Sequence, residues 1–446
     1  MTAHLLQALA DAGVSRRLVV VGHQAEVVQS ALDTHFGAGT LEFVLQAEQK
    51  GTGHAVQITE PALHDFGGTV LVLPGDAPLL EHDILRQLLD FHRENHAAAT
   101  VLTALLPHDA GSYGRIVRSD AGSVLGIVEA RDATPEQLAI REINTGVYAF
   151  ERNALFAALE RLQPNNAQGE LYLTDVLAVL RESGQSVAAV VSPDTDVVLG
   201  VNTRVELAEI AAKMRQRILR RLMLSGVTIV DPATTYIDAS VGIGQDSIIH
   251  PGTVISGKTR IGEECQIGPS AHLADALIGD RSAVRLCVIE NAEVGEDCRV
   301  GPYTHLRPGT KLASKVRLGN FVEIKNAELA EGVAVGHLSY LGDAKVGAGT
   351  NIGAGTITCN YDGFQKHRTE IGARSFIGSH STLVAPVSVG DDAFTAAGSV
   401  ITDHVPSDAL AIARERQTTK EGWMSRYRAR LDEKRAAERG KEQKNS

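Results

Sequence analysis

The chain has 446 residues, a net charge of −11 from 43 Lys and Arg against 54 Asp and Glu, and 4% aromatic residues beside 43 glycines. That length allows two or three domains, and the acidic balance argues against nucleic-acid binding over most of the surface. No apolar run is long enough to span a membrane, no signal peptide opens the chain, and Cys265, Cys287, Cys298 and Cys359 are too few and scattered for a disulfide framework or a zinc site, so the protein reads as cytoplasmic with free thiols.

Residues 1–203 alternate helical and strand patterns, which predicts an α/β layered, Rossmann-like domain with a mainly parallel sheet. His4 to Ala12 reads as a helix, Arg17 to Val21 as a strand, Ala25 to Leu32 as a helix, and Thr69 to Leu73 as a buried strand ending at Pro74-Gly75-Asp76. Ligands in such sheets bind beyond the carboxyl ends of the strands, where the lone carboxylate of Asp76 suits Mg²⁺ held jointly with substrate phosphates. The run from Leu45 to Ala55 sets Gln46 and Gln49 beside Gly51-Thr52-Gly53. Amides can read a base edge, and a glycine turn admits phosphate or ribose. Further polar residues punctuate the domain: Tyr113-Gly114, Glu129, Asn144 and Asn202.

Residues 204–225 form a charged, Ala/Leu-rich stretch with hardly a breaker, predicted as a helical linker. A period of six then governs residues 226–415. Ile249, Ile255, Ile261, Ile267 and Leu273 follow it, as do Val300, Leu306, Leu312, Leu318 and Ile324, and later Ile371, Ile377, Leu383 and Val389. Six fits neither a helix nor an alternating strand. It fits a chain wound into flat faces with one inward side chain per face, a parallel β-helix in which each coil needs its neighbour. Glycine suits the tight corners, and the scarcity of rings suits a narrow interior.

On this scaffold Arg307 and Lys325 stand one coil apart, where two cations could clamp a phosphate. His337 and Tyr340 follow, and Asn360-Tyr361-Asp362-Gly363 breaks the period. A neutral imidazole there is suited to take a proton from an amine. Residues 416–446 form a charged tail with Trp423 and Tyr427 as aromatic anchors, read either as solvated or as a helix docking on a neighbouring subunit.

In order and wording these motifs resemble, over essentially the whole chain, the bacterial bifunctional N-acetylglucosamine-1-phosphate uridyltransferase/glucosamine-1-phosphate acetyltransferase family. The resemblance implies a left-handed parallel β-helix, a homotrimer, and synthesis of UDP-N-acetylglucosamine from acetyl-CoA, UTP and sugar phosphate. It implies that Gln46, Gly51 and Thr52 contact uracil and ribose, that Gly75 and Asp76 border the phosphates, and that Asp76 and Asn202 hold Mg²⁺. Gly114, Glu129 and Asn144 would contact the N-acetylglucosamine. In the second half, His337 would be the general base, with Arg307, Lys325, Tyr340, Asn351, Asn360 and Tyr361 on the sugar phosphate. Ala354, Ser379, Ala397 and Arg414 would take acetyl-CoA, and transfer would be direct, without Cys359 as a nucleophile.

Two departures stand out. Pro74 replaces the family's usual aromatic before Gly-Asp. The family's opening Leu-x-x-Gly-x-Gly-Thr-x-Met loop and its Pro-Lys, about 30 residues, have no counterpart ahead of Met1. On that reading the chain as written exposes a central sheet edge and transfers uridylyl poorly, whether through a start placed too far downstream or through true loss. The alternatives are an acetyltransferase with a degenerate first domain, a zinc hydratase using His337, His367 and His380, a nucleotidyltransferase with a regulatory β-helix, and a purely structural trimeric rod.

Overall fold

The computed structural model describes residues 1–107, 109–198 and 200–442, and the chain divides into two units, Met1–Met214 and Arg215–Ser446. In the first, α1 (Thr2–Asp11), β1 (Leu18–Val21), α2 (Ala25–Phe36), β2 (Glu42–Leu45), α3 (Thr52–Gln57) and β3 (Thr69–Val72) lead to α4 (His82–Glu94) and β4 (Ala99–Leu105). Then come β5 (Arg115–Arg118), β6 (Val124–Val128), α5 (Pro135–Leu138), β7 (Glu142–Glu151), α6 (Arg152–Leu159), α7 (Asp175–Glu182) and β8 (Val187–Val191). Helical spacing puts Leu5, Leu6 and Leu9 of α1 on one buried face, and Ile84, Leu85 and Leu88 of α4 do the same.

The sheet is mixed, which corrects the expectation of a mainly parallel one. β7 lies between β3 and β4 and runs antiparallel to both, β5 pairs antiparallel with β6 and β7, and only β8 joins β4 in parallel. The hydropathy of a strand buried on both faces carries no sign of its direction, so the pattern revealed the strands but not the reversal at β7. β1 and β2 form a separate parallel pair. A cavity of about 1010 Å³ is lined by both β1 and β3, with Leu5, Leu6 and Leu9 of α1 in its wall.

α8 (Arg204–Leu224) carries the chain into the second unit. There three parallel sheets of ten, nine and eleven strands form the faces of a β-helix. Register fixes its interior. Ile255, Leu273, Ile289, Leu306, Ile324 and Leu341 stack coil on coil along one face, and Ile261, Ile278, Val294, Leu312 and Leu329 along another. All are buried, so the six-residue period is the trace of these columns. Coils approach closely where glycines meet: a Cβ on Gly319 would stand 1.9 Å from the Gly336 carbonyl oxygen. At one place Thr358 pairs with Leu383 rather than with a residue one ordinary coil on, and residues 360–368 take up the excess as a loop.

Three thiols, Cys265, Cys287 and Cys298, are buried and free, and burial raises the pKa of each. In the tail, α9 (Trp423–Glu442) is helical, Trp423 stacks on Tyr427 at 4.9 Å, and the described side chains from Gln417 to Glu438 are exposed. Residues 443–446, the end of that tail, lie outside the described residues. No helix among the described residues is long and apolar enough to cross a membrane.

Candidate active sites

In the first unit, residues from distant parts of the chain converge by backbone contact. Gln46 follows β2, and its amide Nε2 donates to the Gly51 carbonyl at 3.3 Å and lies 3.1 Å from His54 Nδ1. Gly51 has φ +102°, and a Cβ there would stand 2.6 Å from the Leu171 carbonyl, so only glycine lets the turn close. Thr52 Oγ1 accepts from Leu173 N–H at 3.1 Å. The loop is thereby tied to the segment that leads into α7.

Glu129, Gly114 and Asn144 form a second group. A Cβ on Gly114 would lie 3.3 Å from Glu129 Oε2, and Asn144 N–H donates to the Gly114 carbonyl at 2.8 Å. Burial holds the Glu129 carboxyl above the usual range. Asn144 Oδ1 accepts from the buried Tyr148 hydroxyl at 2.9 Å and from Gly146 N–H at 3.1 Å, which leaves its Nδ2 as the free donor end of a fixed amide. Thr52, Gly75, Glu129 and Asn144 all line the 1010 Å³ cavity.

Asp76 makes the third group. Its carboxylate packs on Gly200, where a Cβ would stand 3.2 Å from Oδ2, and Val201 N–H donates to the Asp76 carbonyl at 3.1 Å. Asn202 is the next residue, its backbone N–H fixed by Glu206 at 2.6 Å. A carboxylate and an amide are both hard oxygen donors, the type of ligand that suits Mg²⁺. Among the described residues, no three His, Cys, Asp or Glu side chains gather for a metal.

On the β-helix, Arg307 and Lys325 adjoin, with Arg307 N–H donating to the Ile324 carbonyl at 2.9 Å. Arg307 pairs with Glu323 at 3.0 Å. The Lys325 side chain is held below the ordinary lysine pKa, first because its neutral amine can accept a hydrogen bond from Lys366 and then by the charges of Lys366 and Arg307. Lys366 and Arg307 thus both act on Lys325, and cations that repel one another in this way are the arrangement a phosphate neutralises. Lys366 was not singled out from the sequence. The only signal was its place in the period-breaking loop, since residues 41 positions apart in the chain, Lys325 and Lys366, show no periodic relation.

Tyr340 lies in register with Glu323. A Cβ on Gly342 would meet the Tyr340 hydroxyl oxygen at 2.4 Å and Asn360 Nδ2 at 2.8 Å, so that glycine lets the phenol and the amide come together. Asp343 anchors both neighbouring amides, accepting from Asn360 Nδ2 at 2.5 Å and from Asn326 Nδ2 at 2.5 Å. Tyr361 is exposed, its hydroxyl donating to the Gly363 carbonyl at 2.6 Å. Asp362 accepts from Gln365 N–H, His367 Nε2 and Phe364 N–H, which together hold its carboxyl well below the usual range. His367 is therefore occupied within the loop. Asn351 lies on a different sheet from Lys325, in register with Ala334 and Phe376 on the sheet that carries His337.

His337 ends the strand Ala334–His337, and its Nδ1 lies 2.5 Å from Asn320 Oδ1. The same corner recurs on successive coils. Leu338 N–H donates to the Asn320 carbonyl, Gly355 N–H to His337, His380 N–H to Ala354, and Gly398 N–H to Ser379. His337, Ala354, Ser379 and Ala397 therefore occupy one position on four successive coils. Three small residues thus follow the imidazole along one column. Arg414 follows at its end, its Cδ 4.0 Å from where a Gly398 Cβ would lie.

Residues 1–197 match the nucleotidyl transferase family model, and residues 368–403 match the hexapeptide repeat of succinyl-transferase. The chain is 49% identical over 424 residues to the bifunctional protein GlmU of Pelobacter propionicus, covering 95% of this chain and 91% of that one. It is 49% identical to that of an Exiguobacterium species, over 96% of this chain and 93% of the other, and 47% identical to that of a Geobacillus species, over 96% and 92%. The chain belongs to the GlmU family. As a GlmU protein it is a bifunctional enzyme, with a uridyltransferase half built on the mixed sheet and an acetyltransferase half built on the hexapeptide coils.

Proposed function

We propose that the second unit acetylates glucosamine 1-phosphate from acetyl-CoA and that the first transfers uridylyl from UTP to the N-acetylglucosamine 1-phosphate so formed. The observation that carries the first step is the single column holding His337 with Ala354, Ser379 and Ala397. The cations and Tyr340 bind the phosphate and sugar, with Asn351, Asn360 and Tyr361 completing the sugar site. The acetyl-CoA arm runs along the small-residue column to Arg414. His337 Nε2 takes the proton as the amine attacks the thioester carbonyl, and the CoA thiolate leaves. No acyl-enzyme forms.

In the first unit Gln46, Gly51 and Thr52 take the uridine, Gly114, Glu129 and Asn144 the sugar, and Gly75 the phosphates. Asp76 and Asn202 would hold Mg²⁺, which supplies charge neutralisation on the phosphates. On this reading the enzyme is cytoplasmic.

The assembly we propose is a homotrimer through the β-helix. Leu286, Tyr303, Phe321 and Leu338 take the same corner on successive coils, all with positive φ between 51° and 58°, and Tyr303 stacks on Phe321 at 5.3 Å. Such bulky residues are uncommon in that conformation, and Tyr303, Phe321 and Leu338 are more than half exposed, which supports a surface covered by another copy. The role of His337 is tested by His337→Ala, expected to lower acetyl turnover by about 100-fold with little change in substrate binding. Near-normal turnover would refute it.

A further inference from the structure

The imidazole of His337 is directed by one neutral group. Its Nδ1 lies 2.5 Å from Asn320 Oδ1, and Asn320 and His337 are direct register partners on neighbouring parallel strands. The contact is built in from both sides. Gly319 and Gly336, the residues just before each partner, let the coils close, because a Cβ on Gly319 would reach to 1.9 Å from the Gly336 carbonyl oxygen. The His337 carbonyl accepts from Ser339 Oγ at 2.9 Å and from Gly355 N–H at 3.3 Å, and Leu338 N–H bonds the Asn320 carbonyl at 3.0 Å.

Resting on the reading of His337 as the base, we propose that Asn320 is its positioning residue, fixing the tautomer that carries the proton on Nδ1 and presents the Nε2 lone pair to the substrate amine. An amide oxygen accepts from Nδ1–H and does not add charge. A carboxylate in that place would orient the ring equally well but would stabilise the imidazolium, holding the base protonated and inactive nearer neutral pH. The acids nearby are engaged elsewhere: Glu323 pairs with Arg307 at 3.0 Å, and Asp343 accepts from Asn326 and Asn360. The other titratable groups on elements packed around this corner are Arg317, Lys325, Tyr340 and His380. The choice of amide over acid is thus specific to the proton-transfer step.

The test compares Asn320→Ala, Asn320→Asp and His337→Ala in the full chain, reading kcat, KM and the pH profile of acetyl transfer together with thermal melting. Asn320→Ala lowers kcat about 10-fold or more, short of the loss in His337→Ala, and leaves KM for glucosamine 1-phosphate within about twofold. Asn320→Asp keeps the acceptor, so turnover recovers at alkaline pH while the acidic limb of the profile moves up by about one pH unit. If Asn320→Ala stays within twofold of the unaltered chain while His337→Ala is inactive, the positioning role fails and the base assignment stands. If His337→Ala itself turns over normally, the base assignment fails. Equal losses in Asn320→Ala and Asn320→Asp, with an unmoved acidic limb, would reduce Asn320 to a structural part of the corner.

Discussion

Lys366 and then the charge of Arg307 act on Lys325 so that its proton is held less firmly than in an isolated lysine. Below that lowered pKa all three groups are cationic and a phosphate dianion relieves their repulsion. As pH rises through it, Lys325 loses its charge earlier than an ordinary lysine would, and KM for glucosamine 1-phosphate rises on the alkaline side. Lys366→Ala is expected to raise KM about tenfold at neutral pH with kcat within a few-fold, and to shift the alkaline rise to higher pH, because the main cause of the depression is gone. A KM that ignores the substitution would remove Lys366 from the site. Of these groups, Arg307 and Lys325 were legible in the sequence, since one coil of a regular repeat separates them. Lys366 and Asn320 were not: the first is brought back by a loop outside the period, and the second is one polar residue at a corner, marked only by its register with His337.

Among the elements, the coils were the most legible, because each inward position admits one apolar residue and the narrow interior enforces it for many coils in succession. The sheet of the first unit was less so. A strand such as β7 is buried on both faces and shows its hydrophobicity but not its direction, which tertiary packing against β3 and β4 decides. The corners carry a further message in their exceptions. Asp246, Glu264 and Asp297 take positive φ at one corner, polar residues suited to solvent, whereas Tyr303, Phe321 and Leu338 take it at another and expose apolar surface. If that ridge joins copies of the chain, Phe321→Asp places an unpaired charge in the contact and yields a monomer in sedimentation, with acetyl transfer lost along with the assembly. A variant that remained trimeric would move the interface off this corner.

For the whole molecule, the two chemistries rest on different physical supports. The proposed acetyltransferase site draws on neighbouring coils, so its geometry follows from a stack in which each coil contacts only the next. The residues proposed for uridylyl transfer come instead from the loop after β2, from β7 and from the loops at Asp76 and Asn202, which are far apart in the chain. Sites on separate compact units are expected to behave additively. Asp76→Ala should therefore abolish Mg²⁺-dependent UTP binding, measured by calorimetry, while acetyl turnover stays within about twofold, and His337→Ala should do the reverse. Loss of acetyl transfer in Asp76→Ala, with its melting transition unchanged, would show that the two halves are coupled rather than merely joined by α8.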